Sequence, residues 1–161
     1  MQQTGCFLHL PAEMPHESRL FVKTSLVALA LAFGWGAVMA VGESLGVPFP
    51  AAWPVEHAHL AFVGWLVNLV LGIALWMLPL DRARYPETSG RYPRGMPYAI
   101  WGLLNGGLLL RIVAEPALAS GPVARAALAA GSIAQVLAVV AFAVVAWHRV
   151  RGPSHPAPGV R

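Results

Sequence analysis

Apolar and polar positions segregate along this chain in blocks the length of whole helices. Four apolar stretches, 21–42, 57–78, 97–113 and 124–147, are separated by short segments crowded with Pro, Gly and charge. A hydrocarbon core about 30 Å thick requires about 20 apolar residues per crossing helix, and the four stretches are of that order. The pattern therefore predicts four membrane-spanning helices. Joined by short connections they run up and down, so the expected fold is all-α, an integral membrane four-helix bundle forming a single domain over residues 1–161.

The punctuation between the stretches is readable. Helix one begins after Arg19 and Lys23 and carries Ser25, Gly34, Gly36 and Met39, small residues that permit close helix approach where packing replaces the hydrophobic effect. The segment GESLGVPFPAAWP is too rich in Pro and Gly to be helical throughout and is expected to cap the outer face. Helix two starts with Pro54 at a first helical position and Glu56 in the first turn, and stops at Pro79 and Asp81. The loop after it holds Pro86, Pro93 and Pro97. Helix three contains Asn105 and Arg111, and helix four opens near Arg125, contains Ser132 and Gln135, and closes at Trp147.

Composition agrees with a membrane protein: 57% of residues are hydrophobic and 11% charged, outside the range of soluble globular domains. The formal charge of +4 does not point to nucleic acid, because its distribution is that of a topogenic signal. Arg82, Arg84, Arg91 and Arg94 lie in the central loop and Arg149, Arg151 and Arg161 at the C-terminal end, whereas the loop 43–56 has no Lys or Arg. By the positive-inside rule both termini and the central loop are cytoplasmic, and the protein is a multi-pass protein of the inner (cell) membrane. The first 20 residues, with Glu13, Glu17 and Arg19, do not read as a signal peptide. The single cysteine, Cys6, allows no internal disulfide and is expected as an inert tail thiol.

The candidate chemistry sits at the start of helix two, in the stretch EHAHLAFVGWLVNLVLGIALWMLP from position 56 to 79. On a regular wheel of about 100° per residue, Ala61, Gly64, Asn68 and Gly72 fall within about 60° of His57, while His59 shares the opposite, bulky face. The two imidazoles point about 160° apart, so one is expected to be the primary ligand of any metal. The small stripe favours His57, because Ala61 and Gly64 leave room for a flat macrocycle or for a closely packed helix. The topology sets Arg111 and Arg125 at the same depth, where two guanidiniums suit the propionates of a haem. A positive pair at a membrane boundary, partly balanced by Glu115, is the alternative. Met39 reaches the same level and is a candidate sixth ligand, with packing as its other reading. Asn68, Asn105 and Gln135 each lie mid-helix and are expected to meet inside the bundle, as interhelical contacts more than as a proton path. There is no phosphate loop, nucleophile elbow or zinc-spaced Cys/His cluster.

The spacing of His57, His59, Gly64, Gly72 and Pro79 resembles the histidine-bearing helix of NnrS-type haem and copper membrane proteins. It is also similar to the haem-ligating second helix of the large subunit of haem-copper oxidases and nitric oxide reductases. Both resemblances imply haem b chemistry at this end. They cover about 25 residues, and the further histidines of a complete oxygen- or nitric oxide-reducing centre are absent from helices one, three and four, so a whole oxidase or reductase is not expected on this chain alone. Three readings follow: a small haem b protein for electron transfer or for binding a gas such as nitric oxide; a cofactor-free accessory subunit of a larger respiratory enzyme; and a copper-binding protein using His57, His59 and Glu56. Membrane lipid, a second copy of the chain and a larger respiratory enzyme are the expected partners.

Overall fold

The computed structural model describes residues 13–117 and 121–150; Cys6, Arg151 and Arg161 lie outside the described residues. Four helices dominate it: α1, His16–Ser44; α2, Ala52–Met77; α3, Met96–Ala114; and α4, Pro122–Trp147. Each is long and apolar enough to cross a membrane, and they run up and down as an all-α bundle. The helices reach beyond the apolar stretches that predict them. α1 gains five residues and α2 also five at their N-terminal ends: Glu17 is compatible with the first turn of α1, whereas α2 starts at Ala52, so that Pro54 is its third residue and Glu56 lies beyond the first turn, in which the sequence pattern places it, and is buried.

Local chemistry explains the ends. α1 closes in a Schellman motif: Gly46, at φ +69°, donates to the Glu43 carbonyl at 3.1 Å and Val47 to Gly42 at 2.9 Å. The loop beyond folds back as an aromatic cap. Phe49 lies where a Cβ at Gly42 would stand, stacks on Trp53 at 5.0 Å, and Trp53 meets Trp35 edge-on at 5.7 Å. α2 ends where Leu78 turns extended before Pro79, a residue pair that cannot continue a helix.

Helix packing uses the small residues as contact points. A Cβ at Gly72 would stand 2.8 Å from the Phe21 Cβ, and one at Gly64 would stand 3.0 Å from the Ala28 Cβ, so α1 lies close along α2. α3 and α4 cross backbone to backbone at Gly107 and Gly131, where an added Cβ would meet the opposing carbonyl oxygen at 2.5 and 2.7 Å. Phe21, Leu71, Leu75, Ile100, Leu104, Ala138 and Val145 bring all four helices into one core at the end of the bundle that bears the basic loop.

That basic end is tied together by one guanidinium. Arg149, just beyond α4 and 1% exposed, donates to the carbonyls of Leu78 and Pro79 at 2.6 and 2.8 Å, capping the carbonyl end of α2. It lies 5.0 Å from the centre of the Tyr92 ring, whose hydroxyl donates to the Leu75 carbonyl. Burial pushes the Tyr92 phenol up from its ordinary pKa and the Arg149 guanidinium down.

Candidate functional site

The first turns of α2 are regular, but from Leu60 to Val67 the chain forms a π-helix, with hydrogen bonds closing one residue later than in an α-helix. This segment resets which residues face inward. On a regular helix, residues four apart drift by about 40° per step, which would separate Glu56 from Gly72 by about 160°. In the structure Glu56, Leu60, Gly64, Asn68 and Gly72 are all buried, because the wider turn keeps a four-residue spacing in line. The regular wheel puts His57 on the inward line; the structure gives that place to Glu56, with no exposed surface, and leaves His57 half-buried on the flank.

Glu56 faces the C-terminal end of α3. Its carboxyl faces that of Glu115 with Arg111 beside them, and among the described residues neither of its oxygens accepts a hydrogen bond from an N–H or O–H donor. Arg111 donates through Nη2 to Glu115 at 3.0 Å and through Nη1 to the Ser132 hydroxyl at 3.0 Å. Ser132 in turn donates to the Leu128 carbonyl at 2.9 Å, which fixes its lone pairs toward α3. The Glu56 carboxyl of α2 therefore stands beside the Arg111–Glu115 ion pair at the end of α3, and that pair reaches α4 through Ser132. Arg111 does reach the depth of the HAH turn, where its contacts are Glu115 and Ser132. Arg125 lies exposed on α4.

His57 points to α1. Its Cε1 would stand 3.0 Å from a Cβ at Gly36, and its Nδ1 is enclosed without a hydrogen-bond partner among the described residues. The ring borders a groove of about 450 Å³ walled by small side chains, among them Ala32, Gly36, Ala40 and Ala61, with Trp65 at one side. Met39 is half-buried on α1 and does not line this groove. His59 turns back on its own helix, its Nδ1 2.9 Å from the Val55 carbonyl. A carbonyl only accepts, so Nδ1 carries the hydrogen.

These residues meet part of what a haem requires. His57 supplies an imidazole beside a groove of mostly small side chains, although the room over Gly36 is taken by the His57 ring itself. The guanidinium side does not match, since Arg111 is already bonded across α3 and α4. For a metal held by the HAH turn and Glu56 together the three side chains diverge: Glu56 faces Glu115, His57 faces Gly36, and His59 faces the Val55 carbonyl. Among the described residues no three of His, Cys, Asp and Glu gather as a metal site.

Below this level Asn68 and Asn105 exchange hydrogen bonds, Nδ2 to Oδ1 in both directions at 3.0 Å, and join α2 to α3. The Asn68 amide also reaches the Val63 and Gly64 carbonyls at 3.0 and 3.1 Å, within the π-helical segment. Asn105 donates its second hydrogen to the Trp101 carbonyl at 2.9 Å. Gln135 packs against Gly107, and its Nε2 has no partner among the described residues.

The inward role of Glu56 is what wheel reasoning misses. Its signal is the unbroken four-residue spacing of Glu56, Leu60, Gly64, Asn68 and Gly72, which is regular only if the helix is wider than usual. No family model matches the chain, and no curated protein and no solved structure shows significant similarity to it.

Proposed function

We propose that this chain is a small membrane protein that binds haem b through His57 and serves electron transfer or the binding of a gas such as nitric oxide. The observation that carries the reading is the His57 ring itself, an imidazole at the edge of a groove between α1 and α2 that is lined mainly by alanines and Gly36, with Leu29, Phe33 and Trp65. When bound, the haem iron would supply the redox or gas-binding centre; the chain would supply the His57 imidazole, packed on Gly36, and a groove of mostly small apolar side chains around it. The propionates have no assigned partner in this arrangement. Arg111 is engaged with Glu115 and Ser132. The test is the absorption spectrum of the purified protein, oxidised and reduced: a Soret band is expected, and it is lost in His57→Ala.

One observation favours a second reading, a cofactor-free accessory subunit packed against a larger respiratory enzyme. The open side of Gly64 is filled by Ala28 and Leu108, and that of Gly72 by Phe21, so most of the small stripe serves helix contact. Co-purification with a larger enzyme, without bound haem or copper, supports that reading over the first.

A further inference from the structure

A second cavity, larger than the groove at His57, lies away from both histidines. α1 and α3 diverge on one side of α2 and leave a cleft of about 830 Å³, which contains neither His57 nor His59. It runs along α1 from Thr24 to Val38, a span of about 21 Å at 1.5 Å per residue. Val27, Leu31, Val38 and Leu109 lie along it and are all more than half exposed, so it opens sideways into the lipid.

Its lining has a specific character. Three indoles, Trp35, Trp53 and Trp101, stand along it over a floor of small residues such as Ala28, Gly34 and Gly64. The polar groups are uncharged and few. Thr24 accepts from Trp101 Nε1 at 3.0 Å, and its own hydroxyl hydrogen is left to donate into the cleft. Asn105, midway along α3, accepts one hydrogen bond at Oδ1 from Asn68 and retains a second lone pair. Among the described residues, none that lines the cleft is charged.

We infer that this cleft is a binding site for a neutral, ring-bearing isoprenoid lipid of the quinone class. The polar groups decide between the lipids that could enter. A phospholipid would bring its anionic phosphate to a wall without a cation, at a depth where an unpaired charge is costly. A plain hydrocarbon chain would leave the Thr24 hydroxyl unanswered. A quinone ring presents carbonyl oxygens to a hydroxyl donor, a planar face to the indoles, and a long apolar tail to the rest of the cleft. The site does not depend on haem at His57, and the two can fail independently.

The structure offers its own blocking variant. Gly34 lines the cleft and a Cβ there would meet nothing within 4 Å, so Gly34→Leu adds bulk at the cleft wall with no backbone contact at its first atom. Gly102 is equally open but is not part of the lining, and Gly102→Leu is the matched control. Decylubiquinone titrated into the purified protein, read by quenching of tryptophan fluorescence, is expected to saturate in the wild type and in Gly102→Leu and to lose its saturable phase in Gly34→Leu. Thr24→Val, which removes one hydrogen-bond donor, is expected to weaken binding roughly fivefold. Quenching that rises linearly and equally in all variants, or a saturable phase that survives Gly34→Leu unchanged, overturns the inference.

Discussion

Arg111 is the residue on which the buried electrostatics depend. It is bonded to Glu115 and stands beside the buried Glu56 carboxyl, and breaking a fully buried ion pair costs about 3 to 5 kcal/mol, less for a pair that is 18% and 15% exposed. Arg111→Met is therefore expected to lower stability in detergent by about 1 to 3 kcal/mol. Glu56→Gln, which removes the carboxylate with no donor of its own, should leave the melting temperature unchanged or raise it; a fall as large as that of Arg111→Met would show that Glu56 is held by a bond the structure does not contain. At the opposite end Tyr92 gives a pH signature. Its folded-state pKa is raised above the ordinary value of 10.0 by burial, so the folded state keeps the phenolic proton longer than the unfolded chain does. That contribution is fully present below about pH 10 and is lost as the pH rises through the folded value. Thermal melts between pH 9 and 11.5 should show the wild type losing stability more steeply than Tyr92→Phe, and parallel curves would contradict the assignment.

Among the elements, the crossing of α3 and α4 offers a comparison between neighbouring residues. A methyl group at Gly106 meets open space, so Gly106→Ala should be neutral or stabilise by up to about 1 kcal/mol through helix propensity. A methyl group at Gly107 meets the Gly131 carbonyl at 2.5 Å, so Gly107→Ala should destabilise by about 1 to 3 kcal/mol. Equal effects in the two melts would mean that the helices do not cross there. The number, direction and approximate limits of the helices were legible from the apolar stretches, because a bilayer demands a length that no other constraint imitates. The Asn68 and Asn105 pair was legible for a related reason, since a mid-helix carboxamide in lipid needs a partner. The inward face at the start of α2 was not, because a fixed 100° step cannot anticipate the π-helical turn between Leu60 and Val67. That turn moves Glu56 inward and His57 to the flank. The engagement of Arg111 was partly legible from the four-residue spacing to Glu115, but Ser132 belongs to another helix and its approach depends on the Gly107 and Gly131 contact.

The whole molecule is two closely packed helix pairs, α1 with α2 and α3 with α4, joined along α2 and α3 and clamped at the basic end by Arg149. The pairs separate on one side to leave the indole-lined cleft, while the groove at His57 lies between α1 and α2. A haem in that groove, as proposed, would rest on the His57 imidazole, with no cation of the chain assigned to its propionates. Whether an imidazole of the HAH turn holds iron is decided most directly by the haem content and Soret absorption of the wild type beside His57→Ala and His59→Ala, all purified from membranes. The account predicts haem b in the wild type and in His59→Ala, and its loss in His57→Ala. Protein that carries no haem, or a Soret band unchanged by His57→Ala, would contradict it.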